Sequence, residues 1–201
     1  MSPLLIALLV IGGVFLIAIV WTIKVFNTLV RLDKRHENGM SQIEVQLKRR
    51  HDLIPNLVET AKGYMSHERE TLEAVIAARN QAVSGLKAAT GDPKNPEAMK
   101  GLGEAEGALG SAMGRLFAVM EAYPDLKANQ NMMQLSEELT STENKVSFSR
   151  QAYNDSVTSY NIYKGQFPNI VVASMFGHGR DANLLEFDME QIAEAPKVSF
   201  N

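Results

Sequence analysis

Residues Leu4 to Ile23, LLIALLVIGGVFLIAIVWTI, run for twenty positions without a charge, and no other feature constrains the chain as much. Twenty helical residues rise about 30 Å, the thickness of a bilayer's hydrocarbon core. Fourteen of them are Leu, Ile, Val or Phe. At about −0.3 to −0.6 kcal/mol each, they outweigh the cost of Gly12, Gly13 and Thr22. A cleaved signal peptide has a basic leader, a shorter apolar run and a small-residue cleavage site. Here only Met1, Ser2 and Pro3 precede the run, which ends in Val20-Trp21-Thr22-Ile23. The run therefore reads as a single transmembrane helix, with Trp21 as an interfacial aromatic. Lys24, Arg31, Lys34 and Arg35 follow it, and no basic side chain precedes it. The excess of positive charge predicts an N-terminus outside and the remaining chain in the cytoplasm.

After the anchor the apolar residues recur at three- and four-residue spacing, the mark of amphipathic helices. Val25, Leu29, Leu32, Met40, Ile43 and Leu47 make one stripe, with Gly39 its weak point. No breaker separates this stripe from the anchor. Pro55 cannot donate a backbone hydrogen bond, so a kink or short break is expected at Asp52–Pro55. A second helix should then carry Leu57 through Leu86. The segment Thr90-Gly-Asp-Pro-Lys-Asn-Pro96 is a loop, and Asn95 before Pro96 is a cap-then-proline start for a third helix. Tyr123-Pro124-Asp125 makes a turn. A fourth helix spans about 129–165, and a short apolar one 169–176. The expected fold is all-α: one N-terminal transmembrane helix followed by a long antiparallel bundle of three or four helices. Residues 1–23 form the tail and anchor, 24–182 the bundle, and 183–201 an extended or disordered C-terminal tail.

Two patterns inside the bundle stand out. Gly103, Gly107, Gly110 and Gly114 fall on one face of the third helix. They form either a contact groove for a closely approaching helix or a locally weak helix. Tyr153-Asn154, Tyr160-Asn161 and Phe167-Pro168-Asn169 recur every seven residues, nearly two helical turns. They read as an aromatic seam in the core, or else as a cage for a ligand.

Several function classes are excluded or disfavoured. A net charge of −3 gives no footprint for nucleic acid. No cysteine is present, so thiolate chemistry and cysteine metal sites are absent. His36, His51, His67 and His178 form no Glu-x-x-His pair, and His67-Glu-Arg-Glu lacks the second histidine of a zinc helix. They are expected as exposed polar residues. Lys48-Arg49-Arg50 reads as a solvated or ion-paired face rather than a lipid contact, because a helix standing on the membrane lifts it well clear. No phosphate loop or nucleophile elbow occurs, so neither catalytic residues nor a cofactor or metal site are expected.

Gln46-Leu-Lys-Arg-Arg-His-Asp-Leu-Ile-Pro-Asn-Leu-Val58, continuing to Lys62-Gly-Tyr-Met-Ser-His-Glu68, resembles the hallmark block of the LemA family. Ala78-Arg79 and the Tyr153–Asn169 repeat fit it too, and the resemblance covers about residues 20–187. It implies a bacterial, membrane-anchored helical bundle without assigned catalytic residues, located at the inner membrane. One branch of the family is similar to a magnetosome protein linked to formation of the organelle membrane. Gly39-Met40 and the glycine row depart from the family pattern. Three readings follow. The first is a scaffold that self-associates as a homo-oligomer on the bilayer and organises or remodels it. The second is a monomeric adaptor presenting its bundle to a second protein in envelope stress or signalling. The third is an enzyme or small-molecule site hidden at the aromatic stripe.

Overall fold

The computed structural model describes residues 2–187, all helix and connecting chain without a strand among them. The helices are α1 (Pro3–Lys62), α2 (Arg69–Gly91), α3 (Pro96–Met120), α4 (Pro124–Lys127), α5 (Gln130–Gly165) and α6 (Asn169–Met175). The described residues divide into two compact units: 2–38 with 154–182, and 39–153 with 183–187. Both α1 and α5 pass from one unit to the other.

In the larger unit the second part of α1 packs with α2, α3, α4 and the first part of α5. Its core joins Ile54, Leu57, Val58 and Ala61 of α1 to Leu72, Val75, Ala78 and Ala82 of α2. Leu109, Leu116 and Met120 of α3 and Met132 and Leu139 of α5 complete it. The three- and four-residue spacing of these positions is what turns one face of each helix inward. Asn95 caps α3 as its sequence predicts, accepting from the backbone N–H of Glu97 and Ala98 with Pro96 behind it. Gly39 is not a weak point. The backbone of Tyr153 comes so close that an added Cβ would stand 3.3 Å from its Cα, so a glycine is what lets α1 and α5 approach there.

Two expectations about helix boundaries are corrected. The helix does not break at Asp52–Pro55; α1 runs through Pro55 to Lys62. Pro55 leaves the carbonyl of His51 without its helical donor, and Arg79 of α2 supplies one instead, its Nε donating at 3.0 Å. The break comes later, at 63–68, where Met65 folds inward and is fully buried. Apolar periodicity continues across that turn and hides it in the sequence.

The smaller unit holds the first part of α1, the last turns of α5, α6 and the chain to Ala182. Val25 and Leu29 of α1, Tyr160 of α5 and Val172 and Ala173 of α6 form its core. Trp21, Phe26, Leu32 and Tyr163 lie against them.

Candidate functional site

The first candidate is the start of α1. Its most apolar eighteen-residue stretch has a mean hydropathy of 3.0, and none of that stretch is buried by protein. Leu4, Leu8, Ile11, Phe15 and Ile17 are all exposed. A helix apolar on every side and left uncovered by the rest of the described chain is long and apolar enough to cross a membrane, which fits an N-terminal anchor.

The aromatic stripe grips the chain's own C-terminal segment. In the smaller unit the buried ring of Tyr160 stands 5.3 Å from that of His36, and its hydroxyl meets His178 Nδ1 at 3.0 Å. The Asn161 amide pairs with Ala182 in both directions, donating to its carbonyl and accepting from its N–H, each at 2.9 Å. Lys164 Nζ is 2.5 Å from Asp181 and donates to the Gly179 carbonyl at 3.2 Å. In the larger unit Tyr153 donates to the carbonyl of Asn183 at 2.7 Å. The Asn183 amide in turn donates to the Pro93 carbonyl at 3.4 Å. Leu185 is fully buried, and the Arg150 guanidinium lies 4.5 Å above the Phe187 ring. Burial pushes both tyrosine hydroxyls up to about 12, aided at Tyr160 by Asp33 and Asp181, so both stay protonated, and Tyr153 donates.

Phe167, third in the stripe, is 86 % exposed. Helix α5 ends at Gly165, so the seven-residue register that aligns Tyr153 with Tyr160 stops before it. Asn169 still bonds backward, donating to the Tyr163 carbonyl at 3.1 Å. Residues 183–187 form neither helix nor strand and are docked; 188–201 lie outside the described residues. The docking is hard to read from sequence because its partners are backbone carbonyls. The paired amides Asn161 and Asn183 are the signal that was available.

A buried ionic cluster went unanticipated. Glu106 of α3 is 2 % exposed, and its carboxylate accepts from Arg50 Nη2 and, at 2.8 Å, from His51 Nε2. Arg50 also pairs with Glu143 of α5. Burial, ahead of the neighbouring Arg50 and Arg79 charges, pushes His51 down to about 4. The neutral imidazole therefore keeps its proton on Nε2, facing Glu106. Thus Lys48-Arg49-Arg50 divides: Lys48 and Arg49 pair with Glu44 and Glu138 at the surface, while Arg50 turns inward. His36 is likewise buried, 3.1 Å from Asp33; only His67 has the exposed position expected of all four. The described residues bring together no three His, Asp or Glu side chains as metal ligands.

The glycine row divides as well. Gly103 is buried beneath the Glu186 carbonyl, which leaves no room for a Cβ, so this glycine admits the docked segment. Gly107 is half-buried. Gly110 and Gly114 are exposed, and an added Cβ at either would meet nothing within 4 Å. Both line an open groove of about 350 Å³ between α3 and α5, floored by Ile54 and Leu109 and flanked by Met113, Phe117 and Leu139. A second groove, of about 660 Å³, lies where α1 meets α2, lined by Val58, Met65, Leu72 and Ile76 beneath Lys62, Arg69 and Glu73.

A family model described as the LemA family matches residues 39–200. The chain belongs to the LemA family. Among curated proteins it is similar to Magnetosome protein MamQ 2 of Paramagnetospirillum magneticum, 26% identical over 190 residues, covering 87% of this chain and 70% of that one. Magnetosome protein MamQ of Magnetospirillum gryphiswaldense is 24% identical over 189 residues, with 86% and 70% covered. Protein LemA of Metamycoplasma hominis is 29% identical over 135 residues, with 67% and 57% covered. None of these names is an enzyme's. In this LemA-family chain, the block from Gln46 to Val58 supplies Arg50, His51 and Pro55, and Ala78-Arg79 supplies the guanidinium that serves Pro55 from outside the helix. The residues that carry the family resemblance thus build the interior of the bundle.

Proposed function

We propose that this membrane-associated helical protein is a non-enzymatic scaffold whose domains self-associate on the bilayer through the groove at Gly110 and Gly114. The observation that carries this reading is the division of the glycine row. One end is filled by the chain's own backbone, and the other is left bare of side chains beside apolar walls. Close approach of a facing helix at such a surface gains dispersion contacts along its length. The occupant is a second copy, and a head-to-tail contact of this kind closes into a ring or shell around the anchors. Similarity to proteins named for the magnetosome supports a structural role in organising or remodelling membrane.

Gly114→Leu tests it. The side chain has room in the monomer, so helix content and melting should match the parent. Particles in mild detergent and in lipid nanodiscs should shrink by light scattering. A parent chain that stays monomeric in both at every concentration defeats the scaffold. The adaptor for a second protein then leads, favoured by the larger groove where α1 meets α2, whose apolar floor and charged rim suit an amphipathic partner helix.

A further inference from the structure

Helix α6 is too apolar for the place it occupies. Val172 and Ala173 are buried against Val25 and Leu29 of α1, while Ile170, Val171 and Met175 point away from that core and are exposed. At 100° per residue the outward arc carries Ile170, Ser174, Val171 and Met175, three of four apolar. Phe167 just before it is 86 % exposed and Phe176 just after it 49 %. A short helix apolar on both sides is covered on both sides, or lies in lipid.

Its height on α1 decides between these. Phe176 packs against Phe26 with the rings tilted and their centroids 5.2 Å apart, and Phe26 comes three residues after the last residue of the apolar run. Val25 and Leu29 are two and six residues past Ile23, about 3 to 9 Å along the axis. The headgroup layer adds about 5 to 8 Å to each face of the hydrocarbon. The exposed side of α6 thus continues the lipid-facing surface of the anchor without a gap. The flanks fit an interface. Residues 165–180 contain no Asp or Glu, the exposed cations Lys24 and Arg31 bracket the Val25–Leu29 stretch of α1 in sequence, and exposed Arg180 follows α6.

We propose that α6 with its flanking Phe167, Met175 and Phe176 is a second membrane contact, an interfacial helix embedded in the leaflet that the anchor has just left. The occupant is lipid of the same bilayer. A helix in that role would lie in the interface plane with its apolar face sunk about 5 to 10 Å, here preceded by a helix that spans. This rests on the transmembrane reading of Leu4–Ile23, and the scaffold is not required for it.

The chain has no cysteine, so single labels are unambiguous. Full-length I17C, F167C, V171C, M175C and F148C are each labelled with an environment-sensitive fluorophore. They are reconstituted in phosphatidylcholine–phosphatidylglycerol vesicles with or without lipids bearing a nitroxide high on the acyl chain. Phe148 is an exposed aromatic of the larger unit, 76 % exposed, and serves as the aqueous reference. The expected result is a blue-shifted emission at positions 167, 171 and 175, at least twofold quenched by the nitroxide lipid, with the label at 148 quenched only by aqueous iodide. Strong quenching of the α6 labels by iodide and none by lipid overturns the proposal while the label at 17, quenched by lipid, upholds the anchor. Quenching by neither agent overturns it in favour of a second copy covering the helix. A label at 17 that lipid does not quench overturns the anchor, and the interfacial helix with it.

Discussion

Glu106 holds two basic partners inside the bundle, and the cost of that arrangement is pH sensitivity. His51 falls from an ordinary value near 6.5 to about 4 on folding. Between those values the unfolded chain takes up a proton that the folded chain refuses, so stability is complete above about pH 6.5 and declines as pH falls toward 4. The full loss from this group is about 3 kcal/mol. Melting followed by circular dichroism at pH 7.5 and pH 5 should show the decline, and His51→Gln should flatten it. Glu106→Ala removes the common acceptor and leaves the buried Arg50 with only the exposed carboxylate of Glu143, beside an unanswered imidazole. Such a change costs about 3 to 5 kcal/mol, a lowering of the midpoint by roughly 10 °C. An unchanged midpoint would show that water reaches the cluster. None of this was legible at the residue scale: Arg50 and Glu106 are 56 positions apart, and a basic run reads as surface until its neighbours are known.

Helices were far more legible than ion pairs. The apolar spacing gave α1, α3, α5 and α6 because burial of one face is a local pattern. It failed at 63–68, where a buried Met65 keeps the pattern alive through a turn, and at Pro55, whose missing donor is supplied from another helix. The docked stretch 183–187 was beyond it, since extended chain held by carbonyls has no periodicity to read. Gly103 makes that docking testable. In Gly103→Ala the methyl group collides with the Glu186 backbone, and backbone cannot swing away as a side chain can, so the stretch must lift. Amide exchange at 183–187 should quicken while that of α2 stays slow, with a loss of about 1 to 3 kcal/mol. Unaltered exchange at 183–187 would mean that α3 itself yields.

At the scale of the whole molecule the open question is direction. The charge excess at Lys24, Arg31, Lys34 and Arg35 predicts that the domain lies on the cytoplasmic side. A reporter fused after Asn201 should be active in its cytoplasmic form and silent in its exported form. Neutralising the four residues should weaken that preference, and an active exported reporter on the unaltered chain would reverse the topology. The anchor was legible because twenty apolar residues have few alternative uses. The glycine row was legible in the sequence but its division was not, because the backbone that fills its Gly103 end, at Glu186, arrives from 83 residues downstream.

A column with a notch bends at the notch unless something braces it from the side. Pro55 is the notch in the second part of α1, and Arg79 is the brace, gripping the His51 carbonyl from α2. The stiffness of α1 at that point is therefore lent to it by a neighbour and can be withdrawn. Whatever draws α2 away frees α1 to flex there, whereas a helix with its full ladder of bonds would stay straight.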